Sequence, residues 1–157
     1  MAYTVFLSHS MTHDDESFVR QLADTLSSQK INCYIAERDH QFGNLLALKI
    51  EQALRSCDCL VALVTQGGSR SAYVNQEIGA AVGMGKPVIP IVERGVTLKG
   101  FKEGVEWIEF DRANPQGCLL KLAPHMVGLA AAKEKANFIT LIVIGALIWW
   151  LFSKAPK

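Results

Sequence analysis

Short apolar segments alternate along the chain with longer segments in which apolar residues recur at helical spacing. The apolar segments have the length of β-strands, and they lie at residues 3–8, 31–36, 59–65, 87–92 and 106–110. The middle one, "CLVALVT", is apolar almost throughout, which is typical of a strand covered on both faces. Parallel strands need crossover connections, and the intervening helical segments supply them. The pattern therefore predicts an α/β fold, a doubly wound parallel sheet of five strands with helices on both sides.

A candidate site follows from this topology. In doubly wound sheets, ligands bind beyond the carboxyl ends of the strands, where the winding direction reverses. With the flavodoxin-like strand order 2-1-3-4-5, we expect this crevice between strands one and three, lined by Ser8–Ser10, Thr65–Ser69 and the next helix. Glu77 lies on that helix, at the border of the apolar stripe that contains Val74 and Ile78. A glutamate in such a place is usually a surface residue, but its position near the crevice makes Glu77 a candidate functional carboxylate.

Several other functions are disfavoured by the residues present. A phosphorylation receiver needs an aspartate at the end of strand three, where this chain has Thr65, and we interpret Asp14 and Asp15 as ordinary first-turn acids of a helix. A flavodoxin would have paired aromatic residues beside its flavin, and none flank the crevice. The 16 Lys and Arg residues against 15 Asp and Glu give no basis for nucleic-acid binding. The four cysteines lack metal-ligand spacing, so we predict buried, reduced, structural thiols and no metal site.

The C-terminal segment has the character of a membrane span. Residues 136–153 contain no charged residue, and a helix of this length would extend roughly 27 Å, just enough for a bilayer core. Lysines flank the segment, and Trp149 and Trp150 lie where interfacial aromatic residues are common. We therefore expect a cytoplasmic domain at residues 1–130, and at residues 131–157 a linker followed by a single-pass transmembrane helix. The alternative is an apolar helix that packs on the domain or forms a bundle in an oligomer.

Several segments together resemble a TIR domain, over about residues 3–128. The segments are "VFLSHS", "AERDHQFGNLLALKIEQALRSCDCLVALVT", "SAYVNQE" and "KPVIPIV". The most specific are the R-D-x-x-x-G loop, which contains Arg38 and Asp39, and the S-x-aromatic-x-x-x-E helix that ends at the glutamate. The family usually has tryptophan at the position of Tyr73 and proline at that of Phe42. These departures leave the glutamate in place.

The resemblance implies an activity and assigns residues to it. Some TIR domains cleave NAD+ between nicotinamide and ribose, using the glutamate that Glu77 matches, and release ADP-ribose or a cyclic isomer of it. NAD+ would then be the substrate, with no separate cofactor. The residues that the resemblance implies for substrate binding are Ser8, His9, Ser10, Arg38, Asp39, Phe42 and Tyr73.

Other TIR domains are adaptors without catalytic activity, which signal by TIR–TIR assembly, and this is the alternative function. Adaptors often lack the glutamate, whereas this chain has it together with its serine and aromatic companions. We therefore expect a membrane-anchored NAD+ glycohydrolase or cyclase of prokaryotic type, an immune or cell-death effector. Its expected partners are further copies of itself, the membrane, and a second effector or sensor protein.

Overall fold

The computed structural model describes residues 2–35, 44–66, 71–97 and 106–153, and for 44–46 and 145–153 it describes the backbone alone. The elements are β1 (Tyr3–Ser8), α1 (His13–Ser28), β2 (Ile31–Ile35), α2 (Asn44–Ser56), β3 (Cys59–Val64), α3 (Ala72–Gly83), β4 (Val88–Glu93), β5 (Ile108–Phe110) and α4 (Pro115–Ser153). The strands form one parallel sheet in the order β2-β1-β3-β4-β5. The predicted sheet and its strand order are confirmed.

Helices cover both faces of the sheet. α1 and α4 pack on the face to which Leu7 and Leu63 point. α2 and α3 pack on the opposite face, to which Phe6 and Val64 point. Successive side chains of a strand point to opposite faces, so a strand covered on both sides has to be apolar at every position. β3 is such a strand, because all of its residues are buried.

The same alternation decides which way the polar residues at the strand ends point. Ser8 comes two residues after Phe6 and therefore faces the layer of α2 and α3. Thr65 comes two residues after Leu63 and therefore faces the layer of α1 and α4. β1 and β3 are paired as far as Ser8 and Ala62, so both polar side chains lie at the carboxyl edge of the sheet. This edge presents polar groups to both helical layers.

Pro90 lies inside β4 without interrupting it. It aligns with Ala62 of β3, and the register continues on both sides. β5 is a strand of 3 residues that pairs with β4 only from Ile91 onwards. Proline has no N–H to donate, so it is suited to a part of β4 that β5 does not reach. The short β5 therefore lets β4 contain a proline without a bulge.

α4 continues as one helix from Pro115 to Ser153, with Pro124 inside it. Its first part packs on the sheet through Cys118, Leu122 and Met126. Farther along, the Lys133 ammonium lies 2.8 Å from a carboxylate oxygen of Asp58, the residue that precedes β3. This ion pair fixes α4 at the amino-terminal edge of the sheet, opposite the edge of the candidate site.

Among the described residues, none of the helices combines the length and the apolar character that a bilayer crossing requires. In α4, the charged residues Lys133, Glu134 and Lys135 come directly before the apolar segment. The prediction of a transmembrane helix at about 136–153 is therefore wrong, and so is the single-pass membrane localisation that rested on it.

The four cysteines are free thiols, in agreement with the prediction that they are reduced. Cys57, Cys59 and Cys118 are buried, whereas Cys33 is only partly buried. Burial raises the pKa of the Cys59 and Cys118 thiols to about 11. Thiols of this kind contribute to packing rather than to chemistry at neutral pH.

Candidate functional site

Glu77 is buried at the carboxyl edge of the sheet, with 2% of its surface exposed. Ser8 Oγ donates a hydrogen bond to Glu77 Oε2 at 2.5 Å. A carboxylate removed from water is costly unless donors surround it, and a hydroxyl donor to a charged acceptor forms one of the stronger hydrogen bonds. The helical pattern placed Glu77 at the border of an apolar stripe. The structure buries it further, because the polar end of β1 lies opposite.

The start of α3 determines where Glu77 lies. Ser71 is the N-cap of this helix, and its side chain accepts a hydrogen bond from Val74 N. Val74, Ile78 and Ala81 are buried at helical spacing and hold α3 against the sheet. Glu77 directly precedes the buried Ile78, so the packing of α3 on the sheet places the Glu77 carboxylate at the end of β1. The serine of the S-x-aromatic-x-x-x-E motif therefore acts as a helix cap.

A cleft of about 240 Å³ opens beside Glu77, between α2 and α3. The lining residues are Ala47, Ile50, Glu51, Leu54, Tyr73, Gln76, Glu77, Ala80 and Met84. Most of the wall is apolar, and Tyr73 is about half exposed. Such a cleft offers an apolar surface to a flat ring and places a carboxylate at its side.

The segment after β1 sends its side chains in different directions. His9 is buried, and its Nδ1 lies 2.6 Å from the carbonyl oxygen of Ser10. Ser10 is buried as well, and its hydroxyl donates to Asp15 rather than to Glu77. Of the residues predicted for the site, the structure therefore brings Ser8 and Tyr73 to Glu77, while Ser10 faces the opposite side of the sheet.

A second polar cluster lies on the α1 side of the carboxyl edge. Asp15 is completely buried and accepts hydrogen bonds from Ser10 Oγ, from Thr65 Oγ1 at 2.7 Å and from Arg112 Nη2 at 2.7 Å. Arg112 follows β5, and its Nε lies 2.5 Å from Glu93 Oε1 at the end of β4. The cluster thus connects the start of α1 with the ends of β3, β4 and β5.

The sequence pattern did not reveal this cluster. The interpretation of Asp15 as an ordinary first-turn acid is wrong, because the side chain is buried and bound by three others. A usable signal was present, however. Thr65, Glu93 and Arg112 each lie at or just after the carboxyl end of a strand, where parallel strands bring their ends together.

The pKa of the Asp15 carboxyl is lower than its ordinary value. Burial by itself would raise this pKa, but the hydrogen bonds from Ser10, Thr65 and Arg112 and the charge of Arg112 outweigh it. For Arg112, burial opposes the charged form, yet hydrogen bonds and charge from Glu93 and Asp15 raise the guanidinium pKa above its ordinary value. Asp15 and Arg112 are therefore a permanently ionised pair at neutral pH.

Arg38, Asp39 and Phe42 lie outside the described residues, so their role in substrate binding stays a prediction. Across the parts of the chain that the structure describes, no group of three or more His, Cys, Asp and Glu side chains is arranged to hold a metal ion. The chemistry that the described site can offer is that of the Glu77 carboxylate with the Ser8 hydroxyl, beside a largely apolar cleft whose wall also carries the Glu51 carboxylate.

The fold is shared with solved structures of different functions. The TIR domain of the Toll-related receptor TRR-2 from Hydra magnipapillata is 17% identical, with a TM-score of 0.62 over 80% of this chain and 98% of that chain. The CMP N-glycosidase BcmB from Clostridium botulinum is 18% identical, with a TM-score of 0.60 over 78% of this chain and 98% of that chain. The TIR domains of the activated Roq1 resistosome, which recognises the pathogen effector XopQ, are 18% identical, with a TM-score of 0.50 over 59% of this chain and 58% of that chain. At these identities the likeness shows the fold alone.

The sequence itself decides the family. No curated protein matches the chain in sequence. The family model of the TIR domain matches residues 5–121, a stretch that contains Ser8, Asp15, Glu77 and Arg112. The chain therefore belongs to the TIR domain family.

Proposed function

We propose that this TIR domain cleaves the N-glycosidic bond between nicotinamide and ribose in NAD+, with Glu77 as the catalytic carboxylate. The observation that carries the proposal is the buried Glu77, hydrogen-bonded to Ser8 beside a largely aliphatic cleft. The shared fold with a CMP N-glycosidase supports the cleavage of an N-glycosyl bond. The choice of NAD+ follows from the resemblance of the S-x-aromatic-x-x-x-E helix to that of NAD+-cleaving TIR domains.

A single carboxylate is sufficient for breaking this bond. In an ordinary glycoside, one acid protonates the leaving oxygen while a second carboxylate acts from the opposite face of the sugar. The nicotinamide of NAD+ is a cationic pyridinium, so it leaves as a neutral molecule once its nitrogen takes the electron pair of the C–N bond. Positive charge then develops on the ribose. The Glu77 anion stabilises this charge, and the interaction is stronger in a cleft with apolar walls than in water.

The fate of the ribose cation decides the product. If water attacks the anomeric carbon and releases a proton, the product is ADP-ribose. If a nucleophilic atom of the same molecule attacks, the product is a cyclic isomer of ADP-ribose. In either case Tyr73 offers a ring on which the nicotinamide or the ribose can stack, and the Ser8 hydroxyl holds the Glu77 carboxylate in place.

We further propose that the protein acts in immunity or cell death and that it works as an assembly of several copies. The support is the TIR neighbour that belongs to a resistosome, an assembly that recognises a pathogen effector. A second effector or sensor protein would then act together with this chain. The alternative is an adaptor that uses assembly alone and leaves NAD+ intact.

The experiment that tests the proposal is direct. The purified protein is incubated with NAD+ at several protein concentrations, and the products are separated by chromatography. We expect nicotinamide together with ADP-ribose or its cyclic isomer. If NAD+ stays intact even in samples that light scattering shows to be assembled, the adaptor function replaces the proposed one.

A further inference from the structure

Two polar clusters lie on opposite faces of the sheet, and the segment Ser8–Ser10 connects them. Ser8 binds Glu77 on the face covered by α2 and α3. Ser10 binds Asp15 on the face covered by α1 and α4. Three consecutive residues therefore tie the proposed catalytic carboxylate to a buried ion pair that does not line the cleft.

Asp15 uses both of its carboxylate oxygens in the second cluster. Oδ1 accepts from Arg112 Nη2 at 2.7 Å. Oδ2 accepts from Thr65 Oγ1 at 2.7 Å and from Ser10 Oγ. A buried charge that loses one of its partners is strongly destabilised, so this set of contacts resists displacement.

Arg112 extends the cluster along the carboxyl edge. Its Nε lies 2.5 Å from Glu93 Oε1, and Glu93 Oε2 accepts a hydrogen bond from Gln66 N at 2.9 Å. One guanidinium thus binds a carboxylate on α1 and another at the end of β4. Lysine cannot reproduce this contact, because its ammonium is a point charge rather than a planar fork.

We propose that Asp15 and Arg112 are positioning residues for the cleavage reaction. The ion pair fixes Ser10, and through the Ser8–Ser10 segment it holds the Ser8 hydroxyl against Glu77. This inference rests on the proposed function of Glu77. A displacement of about 1 Å at a catalytic group can lower the rate on the order of a hundredfold, so even a small shift of the segment is measurable as a loss of kcat.

The first test compares Arg112→Gln with Arg112→Lys. Both variants keep a hydrogen-bond donor on a side chain that is 37% exposed, so we expect a loss of stability short of unfolding, which urea unfolding measures. For Arg112→Gln we expect kcat to fall by about tenfold to a hundredfold while KM changes by less than about twofold, since the pair does not touch the substrate. Arg112→Lys should recover only part of the loss. The matched control, Glu16→Gln, breaks an exposed ion pair with Arg20 in the same turn as Asp15 and should leave kcat unchanged.

The second test asks whether Arg112 acts through Ser8. In a Ser8→Ala background the hydroxyl is absent, so Arg112→Gln should lower kcat much less than it does in the wild type. If Arg112 acts only on general stability, Arg112→Gln should lower kcat by the same factor in both backgrounds, because the free-energy effects of uncoupled sites add. Additive losses would therefore overturn the positioning role.

Amide hydrogen exchange separates this inference from the proposed function. Exchange at Ser8–Ser10 is measured in the wild type and in Arg112→Gln, with urea unfolding as the reference for global stability. In Arg112→Gln we expect these amides to exchange faster than in the wild type, and by more than the measured loss of global stability explains. If the wild type cleaves no NAD+, the proposed function fails, and the exchange still decides whether Arg112 orders the segment. Unchanged exchange, or unchanged kcat in an active enzyme, overturns the positioning role.

Discussion

Ser8 and Glu77 are 69 positions apart in the chain, and a hydrogen bond of 2.5 Å joins them. The sheet order brings them together. β1 pairs with β3, and the next helix after β3 packs on the face of the sheet to which Phe6 and Ser8 point. The hydroxyl at the end of one strand therefore meets the carboxylate of a helix that begins after its neighbour.

Glu77→Gln should abolish most of the NAD+ cleavage without unfolding the protein. Glutamine keeps the size and the hydrogen-bonding oxygen of the side chain but removes the charge that stabilises the ribose cation. The loss of one preorganised electrostatic group typically lowers kcat by about a hundredfold to a thousandfold. The matched control is Glu134→Gln, at an exposed glutamate of α4. Glu51 is not suitable as a control, because it lines the same cleft as Glu77. Turnover of Glu77→Gln at the wild-type rate would refute the catalytic role.

Ser8→Ala should lower the stability of the protein as well as its activity. The substitution removes a hydroxyl donor from a buried carboxylate, and a hydrogen bond to a charged group contributes about 1.5–3 kcal/mol to the free energy of unfolding. Urea unfolding measures this change. Ser27→Ala, at an exposed position of α1, is the control and should stay within about 0.5 kcal/mol of the wild type. Equal stabilities of the two variants would mean that the Ser8 hydrogen bond contributes nothing.

The residues that could be predicted from the sequence are those whose surroundings are set by local periodicity and strand order. Ser8 ends an apolar strand, and Glu77 borders an apolar helical stripe, so topology alone placed both at one edge. Asp15 could not be placed in this way. Its burial depends on Thr65 and Arg112, whose donors come from 50 and 97 positions farther along the chain, and a first-turn acid with such partners has the same local sequence as an exposed one.

The error at the C-terminus has a different physical origin. An uncharged stretch of apolar residues indicates that the segment would transfer favourably into a membrane. It does not indicate to which longer helix the segment belongs or where that helix packs. In the structure the segment continues a helix that packs on the sheet from Cys118 to Met126 and is fixed by Lys133. Six large apolar side chains between Phe138 and Ile144 are exposed in the described part of this helix. Composition could predict a helix there but not what surrounds it.

Cys59 and Cys118 should not react with thiol reagents in the folded protein. The thiolate is the reactive form, and with a pKa of about 11 only about one part in a thousand of each thiol is ionised at pH 8. Both side chains are also buried. Labelling with a disulfide reagent, followed by mass spectrometry, should leave these residues unmodified until urea is added, when all four cysteines react. Rapid labelling of Cys118 without urea would contradict the packing of α4 on the sheet.

The specific activity should rise with protein concentration. The proposed assembly of several copies implies an activity that depends on contacts between them, and such an activity is weak when the copies are dilute. Turnover per molecule is measured across about a hundredfold range of concentration, with sedimentation velocity on the same samples to report the oligomeric state. A constant specific activity across a range in which the oligomeric state changes would show that assembly is not required for catalysis.

Asp15 should make the stability of the protein sensitive to acid. Its folded pKa lies below the ordinary value of 3.8, so the unfolded chain takes up a proton first as the pH falls. The contribution of Asp15 to the free energy of unfolding is therefore complete above about pH 5 and is lost as the pH falls through the folded pKa. Asp15→Asn should be less stable than the wild type at neutral pH, and the difference in the free energy of unfolding should narrow below pH 3.8.

Urea unfolding at a series of pH values measures both stabilities. The control is Asp24→Asn, at an exposed position of the same helix, and it should follow the wild type. A difference between wild type and Asp15→Asn that stays constant down to about pH 2 would show that the ionised form of Asp15 does not hold the cluster together.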